Sequence, residues 1–222
     1  MRLLLIRHGK TSYNIKKRYC GSTDIGLSRI GRLESEKLRE KLKGLKIDKI
    51  YCSDLKRSVQ TARLIFKGRK LKLIKVKKLR EINFGAWEGK TYDHLIKKHP
   101  VYKRWLRDPF KIDIPSGESM KHFVARVKMA LKDIVKKNRL KTIAIVSHFG
   151  TMRVILNGAL KLKRRDFWSI KLNPETIYIL ESCKFTSMPA GDCRDGSPFR
   201  AQPPEVASTK RVDRQAGPAG IV

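Results

Sequence analysis

Two histidines stand where short apolar runs end. Arg7-His8-Gly9 follows the run from Arg2 to Ile6, and Ser147-His148 follows the run from Thr142 to Val146. Runs of this length and composition read as buried strands, and ligands of α/β sheets bind just beyond the carboxyl ends of their strands. Two imidazoles at neighbouring strand ends would therefore face one pocket, where they can act as nucleophile, base or acid. Arg57 opens the helical segment that follows Ser53-Asp54. Helix N-termini offer unpaired N–H groups and partial positive charge to phosphate. The planar forks of Arg7 and Arg57 suit phosphate oxygens in pairs. Glu81, between Lys78-Leu79-Arg80 and Phe84-Gly85, is placed to act as a general acid if it lies near the histidines. Taken one at a time, each of these is an ordinary residue: a satisfied histidine, an arginine in a solvated charge run, a surface glutamate. It is their joint occurrence that points to chemistry on phosphate.

Strands and helices must alternate to position them. After the first strand, Ser28 to Leu42 follows helical spacing, with Ile30, Leu33, Leu38 and Leu42 on one side, Ser28 as N-cap and Gly44 as the stop. Asp48 to Cys52 reads as strand and Leu55 to Phe66 as helix, with Leu55, Val59, Ala62 and Phe66 on one face. Leu71 to Val76 alternates apolar residues with lysine, the pattern of a half-exposed strand. Glu81 to Glu118 is punctuated by glycine and proline and is expected to be loops around one short helix at Tyr92–Lys98. Ser119 to Lys137 is an amphipathic helix with Phe123, Val127, Leu131, Ile134 and Val135 inward. A strand over Thr142 to Val146, a helix from about Thr151 and a last strand over Thr176 to Leu180 complete an α/β sandwich with a largely parallel sheet.

A chain of 222 residues with 41% hydrophobic and 8% aromatic residues is long and apolar enough for one folded domain. The expected domain is residues 1–185. Residues 186–222 turn abruptly to proline, alanine, glycine and serine, lose all apolar periodicity, and are expected to be either disordered or foreign to the natural chain. The apolar run Leu3 to Ile6 falls far short of the ~20 residues of a membrane span and lacks the h-region and small-residue cleavage site of a signal peptide, so a cytoplasmic protein is expected. Cys20, Cys52, Cys183 and Cys193 are scattered without a CxxC pair, which argues against a zinc site or a disulfide framework.

The chain carries 52 Lys and Arg against 20 Asp and Glu, a formal charge of +32. Only Arg194, Arg200, Lys210, Arg211 and Arg214, with four acidic residues, lie beyond Phe185, so nearly the whole excess belongs to the body. Such a surface attracts anions. The lysines are spread rather than interleaved with aromatics, and no nucleic-acid motif appears.

Five segments, in order, resemble the histidine phosphatase superfamily in its phosphoglycerate mutase-like branch. They are Arg7-His8-Gly9-Lys10-Thr11-Ser12-Tyr13-Asn14 with Arg18 to Ser28; Cys52 to Ala62; Leu79 to Gly89; Pro115-Ser116-Gly117-Glu118-Ser119; and Val146-Ser147-His148. The resemblance spans about Arg2 to Leu180. It implies a three-layer α/β sandwich, a mostly parallel central sheet flanked by helices, and a phosphomonoesterase working through phosphohistidine at His8. In that reading Arg7, Arg57 and His148 form the positive pocket, Glu81 protonates the leaving alkoxide and then activates water, and Asn14 and the backbone near Gly21 touch substrate. No cofactor and no metal are implied.

Two positions depart from the pattern. Lys10 replaces an acidic or polar residue and would add charge near the pocket. Phe149 stands where glycine commonly follows the second histidine; it would be strained if that position needs positive φ, and would otherwise narrow the pocket.

The compact middle segment argues against the longer mutases. Trp87 to Tyr92, Pro100, Tyr102, Trp105, Asp108-Pro109 and Pro115 to Ser119 look most like α-ribazole phosphatases of cobalamin assembly. Trp87, Tyr102 and Trp105 are expected to pack rather than to stack on substrate. A phosphoglycerate mutase and a basic polyanion-binding protein on the same fold stand as alternatives. The expected partner is a phosphorylated small molecule; a homodimer is admitted, and neither membrane nor nucleic acid is expected.

Overall fold

The computed structural model describes residues 1–160, 167, 172, 177–181 and 200–201. A six-stranded sheet forms the centre. Its strands are β1 (Arg2–Arg7), β2 (Lys49–Cys52), β3 (Leu73–Lys75), β4 (Thr142–Ser147), β5 (Tyr178–Glu181) and β6 (Arg200–Ala201), in the spatial order β3-β2-β4-β1-β5-β6. The pairs β3–β2, β2–β4 and β4–β1 are parallel, whereas β5 and β6 are antiparallel additions at one edge. The helices are α1 (Ser12–Ile15), α2 (Arg29–Lys41), α3 (Lys56–Ile65), α4 (Tyr92–Lys98), α5 (Pro100–Arg107), α6 (Met120–Lys136) and α7 (Phe149–Ala159).

The period of two in the strands divides the core into two layers. Leu3, Leu5, Ile143 and Ile145 face a cluster that contains Phe123, Val127, Ala130 and Ile134 of α6 and Met152, Ile155 and Leu156 of α7. Leu4, Ile6, Ala144 and Val146 face the opposite cluster, with Leu38 of α2 and Val59, Ala62 and Ile65 of α3. With both faces covered, the strands read as unbroken apolar runs. The expected α/β sandwich, mostly parallel with helices on both faces, is the observed one.

Several expectations need correction. Ile30 and Leu33 are about half exposed, at 48% and 52%, and the buried side of α2 carries Gly31, Ser35 and Leu38 instead. Backbone contact dictates this. A Cβ on Gly31 would lie 2.1 Å from the Lys10 carbonyl, and one on Gly9 would lie 2.3 Å from the Gly31 carbonyl, so α2 meets the residues after His8 through its small side chains. The middle segment holds a second helix, α5, that was expected as loop. Pro100 occupies its first turn, where a missing N–H goes unnoticed. Helix α7 begins at Phe149, two residues earlier than expected, directly after His148.

Within the segment expected to be disordered, Arg200–Ala201 pairs with β5; the remainder of 186–222 lies outside the described residues. The expected last strand begins at Tyr178 rather than Thr176. Trp87 and Tyr102 are fully buried, with rings edge-on at 5.2 Å, as packing residues. No helix among the described residues is long and apolar enough to cross a membrane.

Candidate active site

The register of β1 on β4 pairs Arg7 with Ser147, so the next residue of each strand is a histidine at the same edge. The His8 amide donates to the Ser147 carbonyl at 2.9 Å, and the two imidazole centroids lie 5.1 Å apart at an interplanar angle of 60°. His8 Nδ1 lies 2.8 Å from its neighbour's carbonyl, Gly9 O. A carbonyl only accepts, so Nδ1 carries the proton and Nε2 presents its lone pair. His148 is fully buried and neither ring nitrogen bonds to a protein group. Burial, then Arg57, hold both imidazoles well below the usual histidine range, so both are neutral near pH 7.

Glu81 lines the same cleft. Its carboxylate accepts from the Gly150 amide at 2.8 Å and from the Ile82 amide at 3.0 Å, the first of these being one of the unpaired donors at the start of α7. Burial raises its pKa against these two hydrogen bonds and against the charges of Arg57 and Arg126. A buried carboxyl that holds its proton more tightly than usual is suited to donate it. Gly150 is indispensable to the approach, since a Cβ there would lie 2.4 Å from Glu81 Oε1.

Arg57 is fully buried, not part of a solvated run. It does not line the cleft but grips the loop beside it, donating to the carbonyls of Thr23 (2.8 Å) and Gly21 (2.6 Å). The Gly21 amide, expected to meet substrate, is instead taken by Glu88, at 3.0 and 3.1 Å. Asn14 does line the cleft. Its Oδ1 accepts from the Thr11 amide at 3.0 Å, which turns its NH2 group away from Thr11.

Lys10 is absent from the cleft wall and pairs with Glu34 at 2.6 Å, so the charge expected near the pocket is neutralised. Phe149 adopts no positive φ and is unstrained. It lines the cleft, with the guanidinium carbons of Arg7 and Arg153 lying 5.1 and 4.5 Å from its ring centroid.

The cleft is walled by Arg7, His8, Asn14 and Glu81 together with Arg18, Arg153 and the side chains of Phe84, Trp105, Met120, Phe123, Phe149 and Phe167. Arg153 was not singled out by the sequence reading. It is 3% exposed, and burial lowers its pKa to about 10. The signal for it was its place four residues after Phe149, which puts both on one face of α7.

The family model of the histidine phosphatase superfamily (branch 1) matches residues 3–185. Phosphoserine phosphatase 1 of Hydrogenobacter thermophilus is 33% identical over 170 residues, covering 76% of this chain and 81% of that protein. The adenosylcobalamin/α-ribazole phosphatase of Escherichia coli is 30% identical over 175 residues, covering 78% and 86%. The crystal structure of an α-ribazole phosphatase from Shigella flexneri superposes with a TM-score of 0.77 at 26% identity, covering 83% of this chain and 92% of that one.

Proposed function

This chain belongs to the histidine phosphatase superfamily, branch 1, and is a phosphoric monoester hydrolase; from that premise we propose that it works without a metal through phosphohistidine at His8. The observation that carries the reading is the neutral His8 imidazole, with Nε2 unengaged, in a cleft shared with a proton-holding carboxyl and backed by the neutral, buried ring of His148.

In the first step His8 Nε2 forms the N–P bond while the ester P–O bond breaks. Glu81 gives its proton to the departing oxygen, and an alcohol leaves. In the second step water attacks phosphorus and Glu81 takes the proton back. The N–P bond breaks, releasing phosphate and neutral His8. Negative charge on the equatorial oxygens falls to Arg7, His148 and, through the field at short range, Arg57. Catalysis is then largely electrostatic, and neutral rather than charged histidine is the competent nucleophile. Residues 1–185 form the catalytic unit in this reading, which the extent of the family match supports.

For the substrate we put α-ribazole 5′-phosphate first. The aromatic wall of Phe84, Trp105, Phe123, Phe149 and Phe167 suits a flat aromatic base joined to a phosphorylated sugar. A second reading, an acidic phosphomonoester such as phosphoserine, draws support from Arg18 and Arg153 in the same wall. The test is a panel of α-ribazole 5′-phosphate, phosphoserine, phosphoglycerates and sugar phosphates, with His8→Ala as control. Loss of all turnover in His8→Ala supports the mechanism, and unchanged turnover rejects it. Phosphoglycerate interconversion exceeding hydrolysis would instead favour a mutase.

A further inference from the structure

Arg126 stands on α6 and does not line the cleft, yet its guanidinium makes bonds on every side. Nε and one terminal nitrogen form a bidentate pair with Glu118 at 2.6 and 2.7 Å. The terminal nitrogens also donate to the carbonyls of Lys78 (2.9 Å), Arg80 (2.7 Å) and Glu81 itself (2.9 Å). Glu118 is held in turn by the Asn83 amide at 3.4 Å and by His122 Nδ1 at 2.8 Å. Residues 80–84 lie in neither helix nor strand, so no ladder supports the backbone that carries Glu81. Side chains do this work instead: Ser147 Oγ donates to the Leu79 carbonyl at 2.7 Å, Thr151 Oγ1 to the Arg80 carbonyl at 3.1 Å, and the Arg80 side chain pairs with Asp54 at 2.7 Å. Among these, only Arg126 binds the carbonyl of Glu81.

We propose that Arg126, held by Glu118, is a positioning residue that sets where the Glu81 carboxyl stands in the cleft. This rests on the reading of Glu81 as the proton donor. It also gives a role to the Pro115-Ser116-Gly117-Glu118-Ser119 segment, whose glutamate reaches no part of the cleft wall.

The charge of Arg126 acts on Glu81 as well. Glu81 is faced by Arg57 of α3, Arg126 of α6, Arg7 of β1, Arg153 of α7 and the Cys20 thiol, and the neutral His8 shares its cleft beside His148. Of the charged groups, Arg57 and Arg126 pull its pKa down against burial. Loss of Arg126 therefore moves Glu81 further up.

The experiment measures kcat/KM for 4-nitrophenyl phosphate and phenyl phosphate with the full chain. 4-Nitrophenolate leaves with little need for a proton, whereas phenolate is the stronger base and needs one. Glu81→Gln and Arg126→Ala are expected to lose about tenfold or more on phenyl phosphate beyond any loss on 4-nitrophenyl phosphate. Arg126→Lys is expected to regain part of it. The alkaline limb of kcat/KM, where Glu81 gives up its proton, is expected to move to higher pH in Arg126→Ala and to stay in place in Arg126→Lys. Glu118→Gln, which loosens the guanidinium but keeps its charge, is expected to show the same preference for the better leaving group; it stands in for Arg126→Ala should that variant not fold. Equal losses on both esters in the Arg126 and Glu118 variants, beside a leaving-group-selective Glu81→Gln, overturn this inference alone. No selectivity in Glu81→Gln overturns the proton-donor reading and this inference with it.

Discussion

Arg57 and Glu88 hold the two polar edges of one loop. Arg57 donates to the carbonyls of Gly21 and Thr23, and Glu88 accepts from the amides of Gly21 and Ser22 and from the Thr23 hydroxyl, at 3.0, 2.7 and 2.6 Å. The pairing sets Cys20, and with it one wall of the cleft, without any regular secondary structure.

Replacing Glu88 by Gln turns an acceptor of several amides into a group that must present N–H to one of them. An unsatisfied buried donor costs about 1–3 kcal/mol. The expected result is a lower melting temperature together with a raised KM, because the loop that borders Arg18 and Cys20 shifts. Thermal denaturation and steady-state kinetics of Glu88→Gln check this; a wild-type KM contradicts it.

Gly150→Ala is expected to act on turnover more than on folding. The added Cβ falls 2.4 Å from Glu81 Oε1 and must push the carboxyl away from its amide partner. Since general acid–base catalysis contributes about 10²–10⁴, kcat on a poor leaving group should fall by about a hundredfold. Circular dichroism and phenyl phosphate turnover measured on the same preparation decide the point. A fully active Gly150→Ala means that Glu81 does not need this position.

Phe149→Gly tests whether a glycine would suit that position better. Because Phe149 has no positive φ, no strain is relieved. The variant loses the contacts with Arg7 and Arg153, each worth about 0.5–1 kcal/mol at exposed sites and more when dry. It also puts glycine in the first turn of a helix. A lower melting temperature is expected, with a wider range of accepted esters. A rise in melting temperature would show hidden strain.

Acid should destabilise the fold through the two histidines. Their folded pKa values lie well below 6.5, so as pH falls below about 6.5 the unfolded chain binds protons that the folded chain refuses, and stability drops. Each histidine adds a slope of about 1.4 kcal/mol per pH unit. Glu81 acts in the opposite sense: its raised pKa means that the folded chain takes up a proton first, so this one group gains stability as pH falls through that value. Urea titrations between pH 7 and 5 should show a shallower slope in His148→Gln than in the wild-type chain. Identical slopes would mean that His148 is not neutral in the folded state.

Arg153→Leu separates the two substrate readings. It is expected to raise KM about tenfold for an ester bearing a second anion, as expected for a charge-assisted contact, and to leave a neutral aromatic ester within about twofold. Equal effects on both would place Arg153 in phosphate binding instead.

The two histidines, Arg7 and Glu81 were legible because each follows a local signal: an apolar run that stops, or a residue inside a quoted motif. Gly150 was visible only as part of a helix start. Its meaning, the approach of Glu81 from 69 positions away in sequence, depends on packing. The error at α2 has the same origin. Ile30 and Leu33 satisfy helical spacing, but Gly31 and Ser35 satisfy it as well, and the choice between these faces lies in the fit against Gly9 and Lys10. The helix at Pro100 was missed because proline both starts and ends helices.

Local sequence by itself determined the alternation of strands and helices, the apolar layers of the sheet and the chemical types in the cleft, since periodicity and residue chemistry act over a few neighbours. Tertiary structure alone decided that Arg57 holds a loop rather than lining the cleft, that Lys10 is spent on Glu34, that Arg126 meets the Glu81 carbonyl and that Arg153 lines the cleft. Each of these depends on where a long side chain ends. That endpoint is set by a partner tens of residues away, and no spacing along the chain encodes the direction in which a guanidinium will turn.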